Sequence, residues 1–176
     1  MIESDRFHRW VNASFVTARF ENFMPITVQG LGRLDHDLVT GDARFLALSE
    51  EQRASETESL ALNYRITLSY LWVLGAYEVV RTIDQRCREQ DPSLASATSK
   101  AILALKRQFE RLRIPLAKFE PANRHRETDS KVAYPALNLD YGIAWQVAAD
   151  TFIPRKVLSD SFLEFLEGLR NSSASA

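Results

Sequence analysis

The chain has one cysteine, Cys87, among its 176 residues, so it cannot close an internal disulfide. Several catalytic signatures are also missing. It has no Gly-x-Ser-x-Gly elbow, no Walker-type phosphate loop and no His-Glu-x-x-His pair, and Gly30-Leu31-Gly32 lacks the third glycine and the preceding strand of a dinucleotide fingerprint. No cofactor is implied. No basic stretch followed by an apolar run near Met1 marks a signal peptide, and the expectation is a cytoplasmic protein. Charge of one sign is lacking too: 22 Lys+Arg against 23 Asp+Glu leave a net charge of -1, which argues against a polyanion mimic or a strongly basic coat for nucleic acid. With 45% hydrophobic and 26% charged residues the composition fits neither disorder, a collagen-like repeat nor a coiled-coil rod. A chain of this length suits one domain and buries roughly 70% of the surface its unfolded form exposes.

What is present is mostly helical periodicity. Residues 5 to 24 carry Phe7, Trp10, Phe15, Phe20 and Phe23 at neither a clean helical nor a clean strand period, and are assigned to helix. Pro25 suits a first helical position, and Ile26, Leu31, Leu34 and Leu38 share one face, which predicts a helix over about 26–40 with Gly41 as its left-handed cap. Ser49 with Gln52 forms a capping-box pattern that should start the next helix. From Tyr64 to Cys87 apolar residues recur at three and four and then fill most of the circumference, which predicts a long central helix wrapped by neighbours. That run approaches membrane-span length, but Arg65, Glu78 and Arg81 inside it argue for a soluble core and no membrane partner. A wrapping partner can also be a second copy, which leaves a homodimer open.

Asp91-Pro92-Ser93 and the run to Ser99 read as a connector. Ile102, Leu105, Phe109, Leu112 and Leu116 then form an amphipathic stripe that Pro115 should kink or end. Residues 120 to 139 read as an irregular loop, longer than most connections in compact domains. Ile143, Trp145 and Val147 alternate like a strand, and Thr151 to Leu158 can return as a second, edge strand restricted by Pro154. Ser159 or Asp160 then caps a short helix. The predicted fold is mainly α: a helical bundle around a long central apolar helix, with a small C-terminal β-hairpin and a short terminal helix. It forms a single helical domain over 1–170 with a disordered tail over 171–176.

The near-zero net charge is a cancellation. Residues 34–60 hold seven acids and two bases, net -5, and residues 100–131 hold nine bases and four acids, net +5. On the helix that carries the Ile102-to-Leu116 stripe, Lys100, Arg107 and Arg111 line up opposite the apolar side, with Lys106 and Arg113 on its shoulder. Such a row can neutralise phosphates, and the next loop adds Arg124, His125 and Arg126. The plain alternative is a solvated face, or one covered by the acidic segment. His125 sits among acids and arginines, beside Glu127 and Asp129. A histidine that exchanges protons near neutral pH, with arginines holding a phosphoryl group, is the minimum for metal-free phosphodiester cleavage. His125-x-Glu127 opens a zinc deaminase signature, but no Cys-x-x-Cys follows. Asp35, His36 and Asp37 read as metal ligands only in a loop; on a helix they point about 100° apart and cannot converge, so no metal site is expected. Arg86 and Arg88 can lower the Cys87 thiol pKa, but no histidine is placed near it. Glu78 and Arg81 should pair at i, i+3 or meet polar groups of another helix, the functional alternative being a polar-lined pocket between helices for a small ligand.

The apolar helix Tyr70-Leu71-Trp72-Val73-Leu74-Gly75-Ala76-Tyr77-Glu78, followed by a basic one, resembles the bundles of HEPN ribonucleases over part of the chain. Those domains carry an Arg a few residues before a His, whereas here Arg124 adjoins His125 and Arg113 lies well upstream. Membership therefore does not follow. The leading expectation is a non-enzymatic binding module that uses the basic helix and loop over 100–131 to hold an unknown macromolecule or anionic small ligand, with nucleic acid among the candidates. Its binding residues are Lys100, Arg107, Arg111 and Arg113. The alternative is an RNA- or phosphoester-cleaving enzyme with His125, Arg124, Arg126 and Asp129 as catalytic candidates.

Overall fold

The computed structural model describes residues 2–90 and 96–174. Six α-helices and a three-stranded antiparallel sheet account for most of them: α1 (Ile2–Ser14), α2 (Met24–Leu46), α3 (Glu50–Arg53), α4 (Glu56–Gln90), α5 (Ser96–Lys118), β1 (Tyr134–Asn138), β2 (Gly142–Ala148), β3 (Thr151–Pro154) and α6 (Arg155–Ala174). The fold is mainly helical around the long α4, as the periodicity predicts. No helix among the described residues is long and apolar enough to cross a membrane.

The N-terminal segment with mixed periodicity is α1 followed by a 3₁₀ turn, Phe15–Arg19, and the change of helix type accounts for the broken pattern. Helix α2 does not stop at Gly41. A Cβ there would lie 2.8 Å from Cδ of Arg65, so this glycine lets α4 approach closely rather than capping a helix. α2 and α4 run antiparallel, joined at one end by Arg44 and Glu58 and in the middle by the Trp72 indole donating to the Leu31 carbonyl, while Arg86 of α4 reaches Glu21 just before α2. The capping box at Ser49 forms, with Ser49 Oγ accepting from Gln52 N–H, but the helix it starts is the four-residue α3. Glu78 and Arg81 pair as expected, at 2.8 Å on the surface. Against expectation α4 is not wrapped on every side: Leu60, Tyr64 and Leu71 stay exposed.

The apolar stripes of α4, α5 and α6 meet α1 and β2 in one core. Four rings run through it, Trp10 on Phe162 at 5.5 Å, Phe162 on Phe109 at 6.2 Å and Phe109 on Trp72 at 6.1 Å, tying α1, α6, α5 and α4 together. Helix α5 continues through Pro115 to Lys118, because a proline in the last turn removes only one helical hydrogen bond. Ile143, Trp145 and Val147 are buried on β2, as the alternation requires. The expected hairpin β2–β3 forms and is extended by β1, which lies inside the segment read as irregular. β3 is an edge strand that ends at Pro154, and α6 begins at once with Arg155, four residues before the expected cap at Ser159. Of the expected connector, residues 91–95 lie outside the described residues, as do residues 175 and 176 of the expected tail; α6 runs to Ala174.

A buried ionic cluster locks α1, α2, β2 and α6 together. Asp35 is fully buried and accepts from Arg155 Nη1, from Arg6 Nε at 2.7 Å and from Trp10 Nε1 at 2.8 Å. Arg6 also donates to Asp160 and to Ser159 Oγ, both at 2.7 Å. Burial alone would raise the Asp35 carboxyl, but the Arg155 and Arg6 guanidiniums overcome it and hold the group below the usual carboxylate range. Asp42, one heptad further along α2, accepts from the Ile143 N–H at 3.1 Å and faces Arg65 at 3.5 Å; burial prevails there and pushes its carboxyl up. Gly142 has φ +82°, and a Cβ on it would sit 2.4 Å from that of Asp42, so only glycine fits where the sheet meets α2.

Candidate basic cleft at helix α5

Because Ile102, Leu105, Phe109, Leu112 and Leu116 are buried, the basic side of α5 faces outward, yet its cations meet different fates. Lys106 reaches Asp84 at 2.9 Å, and Arg113 faces Glu78 at 3.6 Å while lying over the Tyr77 ring at 4.9 Å. Arg111 donates twice to Asp129, at 2.8 and 3.0 Å. Arg107 remains exposed with no ion pair among the described residues, as do Lys100, Arg124, Arg126 and Lys131. Of the four acids in this segment only Glu127 has no ion pair among the described residues, so the groups unpaired there number five cations and one anion.

The loop after α5 is well braced. Phe119 takes the left-handed conformation at φ 57°, which reverses the chain at the helix end. Ala122 is buried and its carbonyl accepts from His125 N–H at 2.7 Å in the 3₁₀ turn Asn123–His125. The His125 carbonyl in turn accepts from Asp129 N–H at 2.8 Å, and Ser130 N–H donates to the Val147 carbonyl at 2.7 Å, fastening the loop to β2. Burial favours the neutral form of the Asp129 carboxyl, but the hydrogen bonds from Arg111 and Thr128 outweigh it and leave its pKa lowered. Asp129 is therefore a pin that positions the loop, poorly suited to give up or take a proton near neutrality.

This bracing creates two clefts that share Asn123. One, of about 300 Å³, is lined by Arg107, Glu110, Ile114, Ala122, Asn123, Arg124 and His125. The other, of about 490 Å³, is lined by Phe119, Glu120, Pro121, Asn123, Arg126, Asp129 and Lys131. Of the residues singled out from sequence, Arg107, Arg124 and His125 come together. Arg126 and Asp129 line the neighbouring cleft, Arg111 and Arg113 are engaged in ion pairs, and Lys100 lies nearer the start of α5, in neither cleft. The acidic segment does not cover them: Asp35 and Asp42 are buried against Arg155 and Arg65, Asp37 pairs with Arg33, and Glu58 with Arg44.

Other candidates fare less well as sites. Among the described residues no cluster of His, Cys, Asp and Glu is arranged to hold a metal ion. The Cys87 thiol is buried, and burial pushes its pKa up rather than down. A cleft of about 320 Å³ between α1, α2 and α6 contains Arg6, Arg9 and Lys156, but these bind Asp35, Glu167 and Asp160. The sequence reading missed Phe119 and Asn123, and counted Lys131 only as one base of the 100–131 segment. The available signal was Phe119 directly after a basic helix, which apolar periodicity alone assigns to the core. Compared with protein-family models, with curated proteins and with solved structures, the chain gives no significant match.

Proposed function

We propose that this protein is a binding module whose α5–loop face holds an anionic partner. The observation that supports this most directly is the convergence of Arg107, Arg124 and His125 on one cleft, the two guanidiniums without an ion pair among the described residues while neighbouring cations of α5 are paired. Unpaired guanidiniums on a braced backbone bind carboxylate or phosphate oxygens with little ordering to be done on association. Cleavage of a phosphoester by His125 shares this geometry but needs a second proton-transferring group, and Asp129, its candidate, is tied to Arg111. Binding is the better supported reading.

The test is retention on immobilised heparin, used as a generic polyanion, with salt elution. The wild-type protein should bind at low salt and elute at moderate salt. Arg107→Glu with Arg124→Glu should abolish retention while leaving the thermal transition in place. Equal retention of this variant would overturn the assignment.

A further inference from the structure

Resting on that reading, we infer that the anionic partner is a single-stranded nucleic acid, its phosphates held in the two basic clefts and its bases stacked on Phe119 and on the outer face of the sheet.

Aromatic surface lies beside the cations. Phe119 is 67% exposed and shares its cleft with the unpaired Arg126 and Lys131. A phenylalanine in the left-handed region is uncommon, since its Cβ crowds the backbone there, and such strain tends to persist where it presents a group for use. The second platform comes from strand register. Tyr134 pairs with Gln146, and Gln146 with Phe152, so the three side chains form a row on one face of the sheet. Tyr134 is 56% and Phe152 48% exposed, and two strand spacings place them about 10 Å apart. Between them Gln146 Nε2 donates to the Ala149 carbonyl, which fixes the amide and leaves its oxygen to accept from a base. The bond from Ser130 to Val147 brings the end of the basic loop to the same end of the sheet, one residue along β2 from Gln146.

Exposed rings beside unpaired cations distinguish among anions. A heparin-like polyanion uses the cations alone. A duplex keeps its bases stacked within itself and offers no free faces to the rings. A phosphorylated peptide carries one strong anion and fills one cleft, whereas here unpaired cations line two that meet at Asn123. An unpaired strand offers repeated phosphates and free base faces together.

Fluorescence anisotropy with labelled oligo-uridine, oligo-deoxythymidine and a duplex of equal length tests this, with heparin retention measured in parallel. Single strands should bind at least about ten-fold tighter than duplex. Phe119→Ala, and Tyr134→Ala with Phe152→Ala, should each weaken single-strand binding about ten-fold while leaving heparin retention unchanged. Phe119→Gly repeats the first loss without a Cβ at a left-handed position, which separates the ring from backbone effects. Equal affinity for uridine and deoxythymidine strands supports recognition through phosphate and base, and tighter uridine binding supports an added contact to the 2′-hydroxyl. Equal binding of single strand and duplex, with the aromatic variants unchanged and heparin retention still sensitive to Arg107 and Arg124, would overturn this inference and leave the anion-binding reading intact. Failure to retain any polyanion would overturn both.

Discussion

Arg155 and Arg107 carry the same group into opposite surroundings. Arg155, at the start of α6, is 0% exposed, bound to Asp35 and placed over the Trp72 ring at 5.3 Å. Arg107, on α5, is exposed, lines a cleft with Arg124 and has no ion pair among the described residues. A desolvated guanidinium is tolerable only with a partner, so Arg155 serves architecture; a hydrated one needs no internal partner and stays available to a ligand. Formal charge counts the two alike, and burial separates them.

The largest break in this comparison comes from Asp35→Ala, which leaves Arg155 buried without its carboxylate and should cost about 3–5 kcal/mol in urea unfolding. Acid titration sharpens the same point. The depressed Asp35 pKa means that its contribution is present above the unfolded carboxylate value, about 3.9, and is lost as pH falls from there through the folded value. Asp42, pushed up by burial, has the opposite sign: its contribution is present below the unfolded value and is lost as pH rises through the folded one. Asp35→Asn should therefore flatten the wild-type loss of stability in acid, and Asp42→Asn should make that loss steeper. A parallel acid profile for Asp35→Asn would remove this cluster as the source of the dependence.

Gly142→Ala should be next in size. It sets a methyl group against Asp42 at a positive φ, and a melting experiment should register a loss of about 1–3 kcal/mol. Arg111→Ala unpins the loop by removing both donors to Asp129, with an expected loss of about 1 kcal/mol and faster amide exchange at Asp129 and Ser130. The smallest stability effect belongs to Arg107→Glu, within about 0.5 kcal/mol of wild type, although it should weaken heparin retention. If that substitution instead unfolds the protein, the contrast between the two arginines fails.

How much of this was legible without coordinates depended on the range of the interaction. The stripe on α5 and the alternation on β2 were readable because side-chain direction repeats with the backbone, so burial on one face leaves a fixed period. β1 was not readable, since Tyr134-Pro135-Ala136-Leu137-Asn138 shows no alternation. Its proline fits because an edge strand leaves alternate N–H groups unpaired. The burial of Asp35 was not readable either, because a heptad separation from Asp42 places both carboxylates on the buried face only once Arg6, Arg65 and Arg155 arrive from other parts of the chain.

Periodicity and composition thus dictated a mainly helical chain, the outward basic side of α5 and a terminal pair of strands, all governed by contacts between near neighbours in sequence. Which arginines are neutralised and which are free, and that Arg107 shares a cleft with His125 while Arg111 pairs with Asp129, rested on residues far apart in the chain becoming close in space. Ion pairing and desolvation act through that spatial distance, and it is the packing of α5 and its loop against β2 that sets it.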